Sequence, residues 1–342
     1  MAPLTFSQFI KGQFSKPASV VKTDLSGKTV VLIGANTGLG FEACKHFASM
    51  NPERLIMGCR NKAKGEAAVA KIKAETGYSK AELWTIDLSN FASVKAFVNK
   101  FEKEGGRLDI LIENAGVMGS DEYEVTEDGW ASIFQVNDIA PSLHALLLLP
   151  YMLRTAAEHN TTPRLVMVAS EVHYWSNLVR DDKVVKSKSM LKEMSSKEFH
   201  QRTSSTQRYF DSKLLNVYFA RALQKRLPNT ITVNSLNPGF CISEFDRNQE
   251  GAMALLGRLM KKVLAFTTEE GSRQLVYAAI AQIENEEQMR GAFVSGSKVV
   301  EPSDDVVSEF GAEMQERFWS EILDVCKNVD PRIQQVVEKC LQ

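Results

Sequence analysis

The chain has 342 residues, 44% hydrophobic and 24% charged, with a net charge of -1. That is enough apolar material for one large core, and the near-neutral balance excludes bulk attraction to nucleic acid or an anionic membrane. Five scattered cysteines without a C-x-x-C, and five histidines without metal-ligand spacing, argue against disulfides and a metal site and predict a reducing, cytoplasmic setting.

Residues 1–26 read as an N-terminal extension without the apolar core of a signal peptide. Phe6, Phe9, Ile10 and Phe14 make one stripe on a short helix. That stripe either packs on the domain or makes a weak contact with a membrane surface or a partner. From residue 27 the pattern alternates. KTVVLIG, RLIMGC, AELWTIDL, LDILIENAG, RLVMVAS, TITVNSLNPG and GAFVSG read as strands. Helix-period segments separate them, among them a long one over residues 128–157 and RYFDSKLLNVYFARAL from Arg208. The run ALLLLPYML from Ala145 is too short to span a bilayer. Strands alternating with helices predict right-handed βαβ units, an α/β chain with a doubly wound parallel sheet, the Rossmann fold. One catalytic domain is expected over residues 27–300, with a helical extension over residues 301–342 packed at the sheet edge.

Ligands of such sheets bind at the carboxyl ends of the strands. After the first strand comes IGANTGLG, with Gly34, Gly38 and Gly40 in a G-x-x-x-G-x-G spacing just before a helix. Glycines there let a pyrophosphate approach backbone N–H groups at the positive end of the helix. The second strand ends in Arg60, followed by Lys62 and Lys64, where an acid would favour NAD. A guanidinium can pair with a 2′-phosphate, which predicts NADP(H). Asp87 ends the third strand, placed either to accept from an adenine amino group or to cap the next helix. Tyr209 and Lys213 stand four apart, on one helix face.

In order along the chain, GANTGLG (residues 34–40), NAG (114–116), VN (136–137), VAS (168–170), YFDSK (209–213) and NPG (237–239) resemble the short-chain dehydrogenase/reductase family over residues 27–300. CRNKAKGE and SEVH are most similar to its retinol-dehydrogenase-like branch, which includes fungal reductases and is related to protochlorophyllide reductases. The resemblance implies roles. Tyr209 is the proton donor or acceptor, and the Lys213 ammonium lowers its pKa and holds the nicotinamide ribose. Ser170 hydrogen-bonds the substrate oxygen. Asn137 holds a water that links Lys213 to solvent. The cofactor pocket takes Gly34, Asn36, Gly38, Leu39, Gly40, Arg60, Lys64, Asp87, Leu88, Asn114, Ala115, Gly116, Tyr209, Lys213, Pro238, Gly239 and Ser243. Two departures stand out. Ile33 replaces a usual Thr, which puts local order in doubt, and Glu113 replaces the first Asn of NNAG, which changes a sheet-end contact.

Two variable segments surround the expected substrate site. An insertion over residues 171–207 opens with His173, Tyr174 and Trp175, rings that either wall an apolar substrate or pack the insertion down. A lid over residues 240–268 carries AMALLGRLMKKVLAF, with a Met/Leu face suited to a bulky lipophilic ligand and with Lys261 and Lys262. The expectation is an NADPH-dependent reductase of a lipophilic ketone or aldehyde, terpenoid, polyketide or retinoid-like, in a tailoring step of secondary metabolism. It would work as a monomer or as a homodimer through the two long helices, the family-like interface. The alternatives are a non-catalytic NADP(H)-binding regulatory or scaffold protein, and a light-requiring reductase of a tetrapyrrole.

Overall fold

The computed structural model describes residues 5–14, 17–104, 106–242, 264–281 and 286–341. Ser243, Lys261, Lys262 and most of the expected lid lie outside these residues. The strands are β1 (Thr29–Ile33), β2 (Arg54–Cys59), β3 (Ala81–Thr85), β4 (Ile110–Glu113), β5 (Arg164–Val168), β6 (Thr232–Asn237), β7 (Phe293–Ser295) and β8 (Lys298–Val300). They form one sheet in the order β3-β2-β1-β4-β5-β6-β7-β8. All neighbours are parallel except β7 and β8. Residues of β1, β4, β5 and β6 are buried throughout, as strands covered on both faces must be. β8 is absent from the sequence expectation. It is three residues long and largely exposed, so no alternation marks it. Gly296 and Ser297 turn back with positive φ (60° and 57°), the geometry of a two-residue hairpin.

Among the described residues, the helices of eight or more residues are α1 (Phe6–Gln13), α2 (Gly38–Ala48), α3 (Lys62–Thr76), α4 (Phe91–Lys103), α5 (Ser132–His159), α6 (Ser205–Gln224), α7 (Thr268–Ile280), α8 (Glu309–Val329) and α9 (Arg332–Cys340). One face of the sheet packs against α2, α3 and α7 through residues such as Phe47, Ile72 and Leu275. The other packs against α4, α5 and α6 through Phe97, Leu146 and Leu215. Each such fully buried side chain contributes about 1.5–3 kcal/mol. The ALLLLPYML run belongs to α5, whose 28 residues are long and apolar enough to cross a membrane by length and composition. Yet 94% of its most apolar stretch is buried inside the protein, so α5 is a core helix.

The C-terminal extension corrects the sequence reading. It packs on helices rather than at the sheet edge. Trp319 of α8 stacks near Phe219 of α6 (ring centroids 6.0 Å), and the Tyr218 hydroxyl donates to the Asp305 carbonyl at 2.6 Å. The extension also pins the insertion. Glu321 accepts from the Ser189 hydroxyl and from the Met190 and Leu191 N–H groups, while Arg317 donates to the Val185 and Ser187 carbonyls. Arg180 reaches both oxygens of Asp305. The insertion is therefore ordered, despite a polar sequence, because its Leu178, Val184, Leu191 and Phe199 are buried.

Candidate active site

Strand order reverses between β1 and β4, and the turn after β1 opens into that crevice. Gly38 has φ +62°, and no atom lies within 4 Å of where a Cβ would be. A Cβ on Gly40 would collide with the Gly34 carbonyl. The N-cap of α2, Thr37, makes no side-chain cap, so the first N–H groups of α2 are unclaimed by side chains. This is a cradle with room for an anion at a helix N-terminus. Ile33 does not loosen it. The Gly34 N–H donates to the Gly58 carbonyl at 2.8 Å, and Asn114 Nδ2 donates to the Ile33 and Gly34 carbonyls. Asn36 is half-buried in the turn, while Leu39 leans on Gly271 of α7.

Arg60 and Lys64 are exposed beside the second strand end, without an ion-pair partner among the described residues. The Lys64 N–H is capped by Asn61 Oδ1. Asp87 is not the cap of α4; Asn90 is, accepting from the Ala92 and Ser93 N–H groups. Asp87 Oδ1 instead accepts from the N–H and hydroxyl of Ser89. Leu88 beside it is buried. A cleft of about 470 Å³ borders Asp87, Ser89, Asn90 and Ser132.

The Tyr209–Lys213 face of α6 turns inward onto the end of β5. Lys213 Nζ donates to the Val168 carbonyl at 2.8 Å and to Asn216 Oδ1 at 3.0 Å. It stands 5.6 Å from the centre of the Tyr209 ring. Gly116 is part of the same group, since a Cβ there would lie 3.3 Å from Asn137 Oδ1 and 3.8 Å from Lys213 Nζ, with Ala115 packed alongside. Ser170, two residues beyond Val168, caps a short 3-10 helix (Glu171–Trp175) with its hydroxyl oxygen, so its hydroxyl hydrogen is not spent on that contact. Gly239, with φ +84°, receives the Asn237 side chain on its N–H, and the Phe266 ring lies over it next to Pro238.

Two further features shape this group. Asn137 lies in a five-residue π-helical segment, Gln135–Ile139, of the kind that often marks functional sites. Its side chain clamps the Val117 backbone, accepting from the N–H at 2.8 Å and donating to the carbonyl at 3.0 Å, and donates to the Ser212 hydroxyl. Its carbonyl accepts from Asn216 Nδ2 at 2.8 Å. The second feature is charge. Burial pushes the Tyr209 hydroxyl above its ordinary pKa. Lys213 itself is lowered by burial to about 8, an effect partly opposed by the carboxylate of Asp138.

Several residues escaped the sequence reading. Asn216 follows Lys213 by three positions, a spacing that puts it on the same face. It donates to Asp138 Oδ1 at 2.9 Å, and Asp138 is fully buried, which drives its carboxyl well above the usual range. Glu171, next to Ser170, is raised by burial to about 7, with a hydrogen bond from Asn237 acting the other way. His144 Nδ1 stands 2.6 Å from Glu113 Oε1, both side chains buried at the end of β4. His173 is wholly buried. Its Nδ1–H donates to the Ser170 carbonyl at 2.7 Å and its Nε2 accepts from the Ser303 N–H at 3.2 Å. Tyr174 donates its hydroxyl to the Glu301 carbonyl. These two rings pack the insertion down; Trp175 stays half-buried.

The chain is similar to known proteins. The short chain dehydrogenase family profile matches residues 28–174. Short chain dehydrogenase sol3 of Alternaria solani is 35% identical over 79% of this chain and 90% of its own length. Short chain dehydrogenase/reductase dmxR8 of Cryptosporiopsis sp. is 31% identical over 95% of this chain and 98% of its own. Among solved structures, salutaridine reductase from Papaver somniferum superposes with a TM-score of 0.59 at 21% identity, covering 78% of this chain and 99% of that one. NADPH-bound carbonyl reductase from chicken fatty liver gives 0.55 at 21% identity, covering 80% and 99%. These two structures bear on the fold. The sequence relatives, spanning 79% and 95% of the chain, decide the rest: this protein is an oxidoreductase belonging to the short-chain dehydrogenase/reductase family.

Proposed function

We propose that the protein is an NADPH-dependent reductase of a lipophilic ketone or aldehyde, reversible in principle. The observation that carries this reading is the buried Lys213 ammonium, fixed between Val168 and Asn216 one helical turn from Tyr209. A lysine so placed has no packing purpose that a smaller apolar residue would not serve better, and burying it costs several kcal/mol. One fold neighbour, the carbonyl reductase from chicken fatty liver, is bound to NADPH, which is in keeping with this reading.

The open turn at Gly34, Asn36, Gly38, Leu39 and Gly40 would hold the pyrophosphate. Arg60 and Lys64 would take the 2′-phosphate. Asp87 and Leu88 would flank the adenine, and Asn114, Ala115 and Gly116 the ribose. Pro238, Gly239 and Ser243 would border the nicotinamide. When bound, NADPH supplies the hydride to the carbonyl carbon. Charge then grows on the substrate oxygen, and the protein answers with two hydroxyls. Ser170 donates a hydrogen bond to that oxygen, and Tyr209 donates its proton. Burial makes the Tyr209 anion costly, so the adjacent Lys213 charge is needed to support it. A terpenoid, polyketide or retinoid-like carbonyl, met in a tailoring step of secondary metabolism, fits the same reading by analogy with the fungal relatives.

NADPH consumption in the dark tests this, over a panel of lipophilic ketones and aldehydes, with wild type and Tyr209→Phe. Turnover that collapses at least about a hundredfold in Tyr209→Phe supports the reductase and its proton donor together. Turnover that survives in the variant rejects Tyr209 as the donor. Turnover that requires light rejects the ground-state hydride mechanism.

A further inference from the structure

Three chain segments bring the expected catalytic and nicotinamide-side residues to the carboxyl edge of the sheet, and each carries an aromatic ring close by. Trp175 ends the short helix that Ser170 caps. Phe210 follows Tyr209, and Phe240 follows Gly239. All three are half-buried. Trp175 and Phe210 are neighbours, with ring centroids 5.8 Å apart. Phe240 stands at the base of the segment after β6, where backbone bonds from Phe266 to Phe240 and from Ile242 to Phe266 tie its two ends together. Phe9 of α1, 7% exposed, meets Trp175 edge-on at 5.6 Å and Phe240 edge-on at 6.0 Å.

The path of the chain makes this notable. Leu25, just ahead of β1, is at the amino edge of the sheet, where its N–H donates to the Met50 carbonyl. The extension that precedes it runs past α7, where Arg273 Nη1 holds the Ala18 carbonyl at 3.2 Å, and delivers α1 to the opposite edge. A helix needed only to cover apolar surface would not have to cross the sheet to reach the two variable segments beside the expected catalytic residues. Its apolar stripe is also used selectively. Phe9 is buried among the rings, whereas Phe14 is 70% exposed.

We propose that α1 is part of the substrate site, with Phe9 completing a Phe240–Phe9–Trp175–Phe210 aromatic wall that selects flat, apolar carbonyl compounds. The proposal rests on the carbonyl-reductase reading for its substrate class. Aromatic rings in offset or edge-on contact favour a planar ligand over a branched aliphatic one of equal size. The N-terminal extension, not only the insertion and the segment after β6, then sets specificity.

The test uses the full chain and two probes, 2-acetylnaphthalene and 2-butanone. Binding of 2-acetylnaphthalene to the NADPH-loaded protein is measured by calorimetry, and NADPH oxidation is followed with both ketones. Phe9→Ala is expected to weaken 2-acetylnaphthalene at least about tenfold in Kd and KM. The loss in kcat/KM for 2-butanone should be the smaller of the two. Phe9→Leu keeps the apolar volume and guards against a folding defect; it should show a smaller loss in the same direction. Phe14→Ala should match wild type. Equal affinity for 2-acetylnaphthalene in wild type, Phe9→Ala and Phe9→Leu would overturn the proposal, as would an equal loss for both ketones. No detectable binding of 2-acetylnaphthalene by wild type would overturn it too. Binding without NADPH oxidation would count against the reductase reading while leaving the role of Phe9 decided by the affinities.

Discussion

Lys213 and Asp138 are joined through one amide. Asn216 accepts from Lys213 Nζ at 3.0 Å on its oxygen and donates to Asp138 Oδ1 at 2.9 Å from its nitrogen. Both ionisable groups are buried, Lys213 lowered to about 8 by burial and Asp138 raised well above the usual range by burial. Other charges facing the pair are few: Asp211 on α6 pushes Asp138 further up, and the Tyr209 hydroxyl is neighbour to Lys213. Lys213 therefore holds its proton near neutrality by a modest margin, and Asp138 provides part of it.

Reductase activity should accordingly fall as pH rises through about 8, when Lys213 loses its charge. Asp138→Asn keeps the hydrogen bond from Asn216 but removes the negative partner. Its alkaline limb should move to lower pH by about one unit. The measurement is kcat/KM against pH for both proteins. Superimposable limbs would mean that Asp138 is neutral and only structural.

Arg60 offers a test of cofactor choice. It is exposed and has no carboxylate to satisfy among the described residues, so its guanidinium is available to a 2′-phosphate. Arg60→Ala should raise KM for NADPH by about ten- to a hundredfold and leave KM for NADH nearly unchanged. A preference for NADH in wild type would reject the assignment at once.

The order of elements was legible in the sequence because most buried strands are short apolar runs bounded by turn residues, as VVLI before Gly34 illustrates. The face of Tyr209 and Lys213 was legible from helical spacing alone. What the sequence hid was pairing across elements. Nothing in NDI announces that Asp138 meets Asn216, 78 residues on, because a buried carboxylate and a surface one read alike. Likewise, the polar composition of residues 171–207 concealed buried anchors such as Leu178 and Phe199, and one exposed Phe14 beside a buried Phe9 cannot be told apart by stripe position. The C-terminal extension was placed wrongly for the same reason: helix amphipathicity says that a face is buried, not against what.

His173 links Ser170 to the C-terminal extension and makes a prediction about acid stability. Burial lowers its pKa to about 4, from an ordinary 6.5. The folded state thus favours the neutral ring. That contribution is complete above pH 6.5 and is lost as pH falls from there towards 4, up to about 3 kcal/mol. His173→Asn keeps a donor towards the Ser170 carbonyl but cannot titrate. Urea unfolding at pH 7 and pH 4.5 should show a smaller pH-dependent loss in the variant than in wild type. Equal losses would place the acid sensitivity elsewhere.

Glu113 and His144 form a buried pair in which Glu113 Oε2 and His144 Nε2 have no hydrogen-bond partner among the described residues. Such a pair is worth little against an apolar replacement of both partners but is costly to break from one side. His144→Leu should destabilise by about 3–5 kcal/mol. Adding Glu113→Leu should recover part of that loss. A double variant less stable than the single one would show that Glu113 has a second use, beside Asn114 at the cofactor crevice.

The outer face of α6 bears on assembly. Helices equivalent to α5 and α6 are where a family-like dimer would form, yet in this chain α8 lies on α6 through Trp319 and Phe318, and α9 lies against α5. Phe219 and Tyr218 are buried by the chain's own C-terminal extension. We therefore expect a monomer of 38.1 kDa in sedimentation equilibrium at micromolar concentration. Trp319→Ala should cost about 3–5 kcal/mol, because it opens a cavity over Phe219. It should also introduce concentration-dependent association, since the uncovered face is the apolar one that related chains would pair. A wild-type dimer held through α5 and α6 would require α8 to leave that face, and finding one would show that the extension is a displaceable cover.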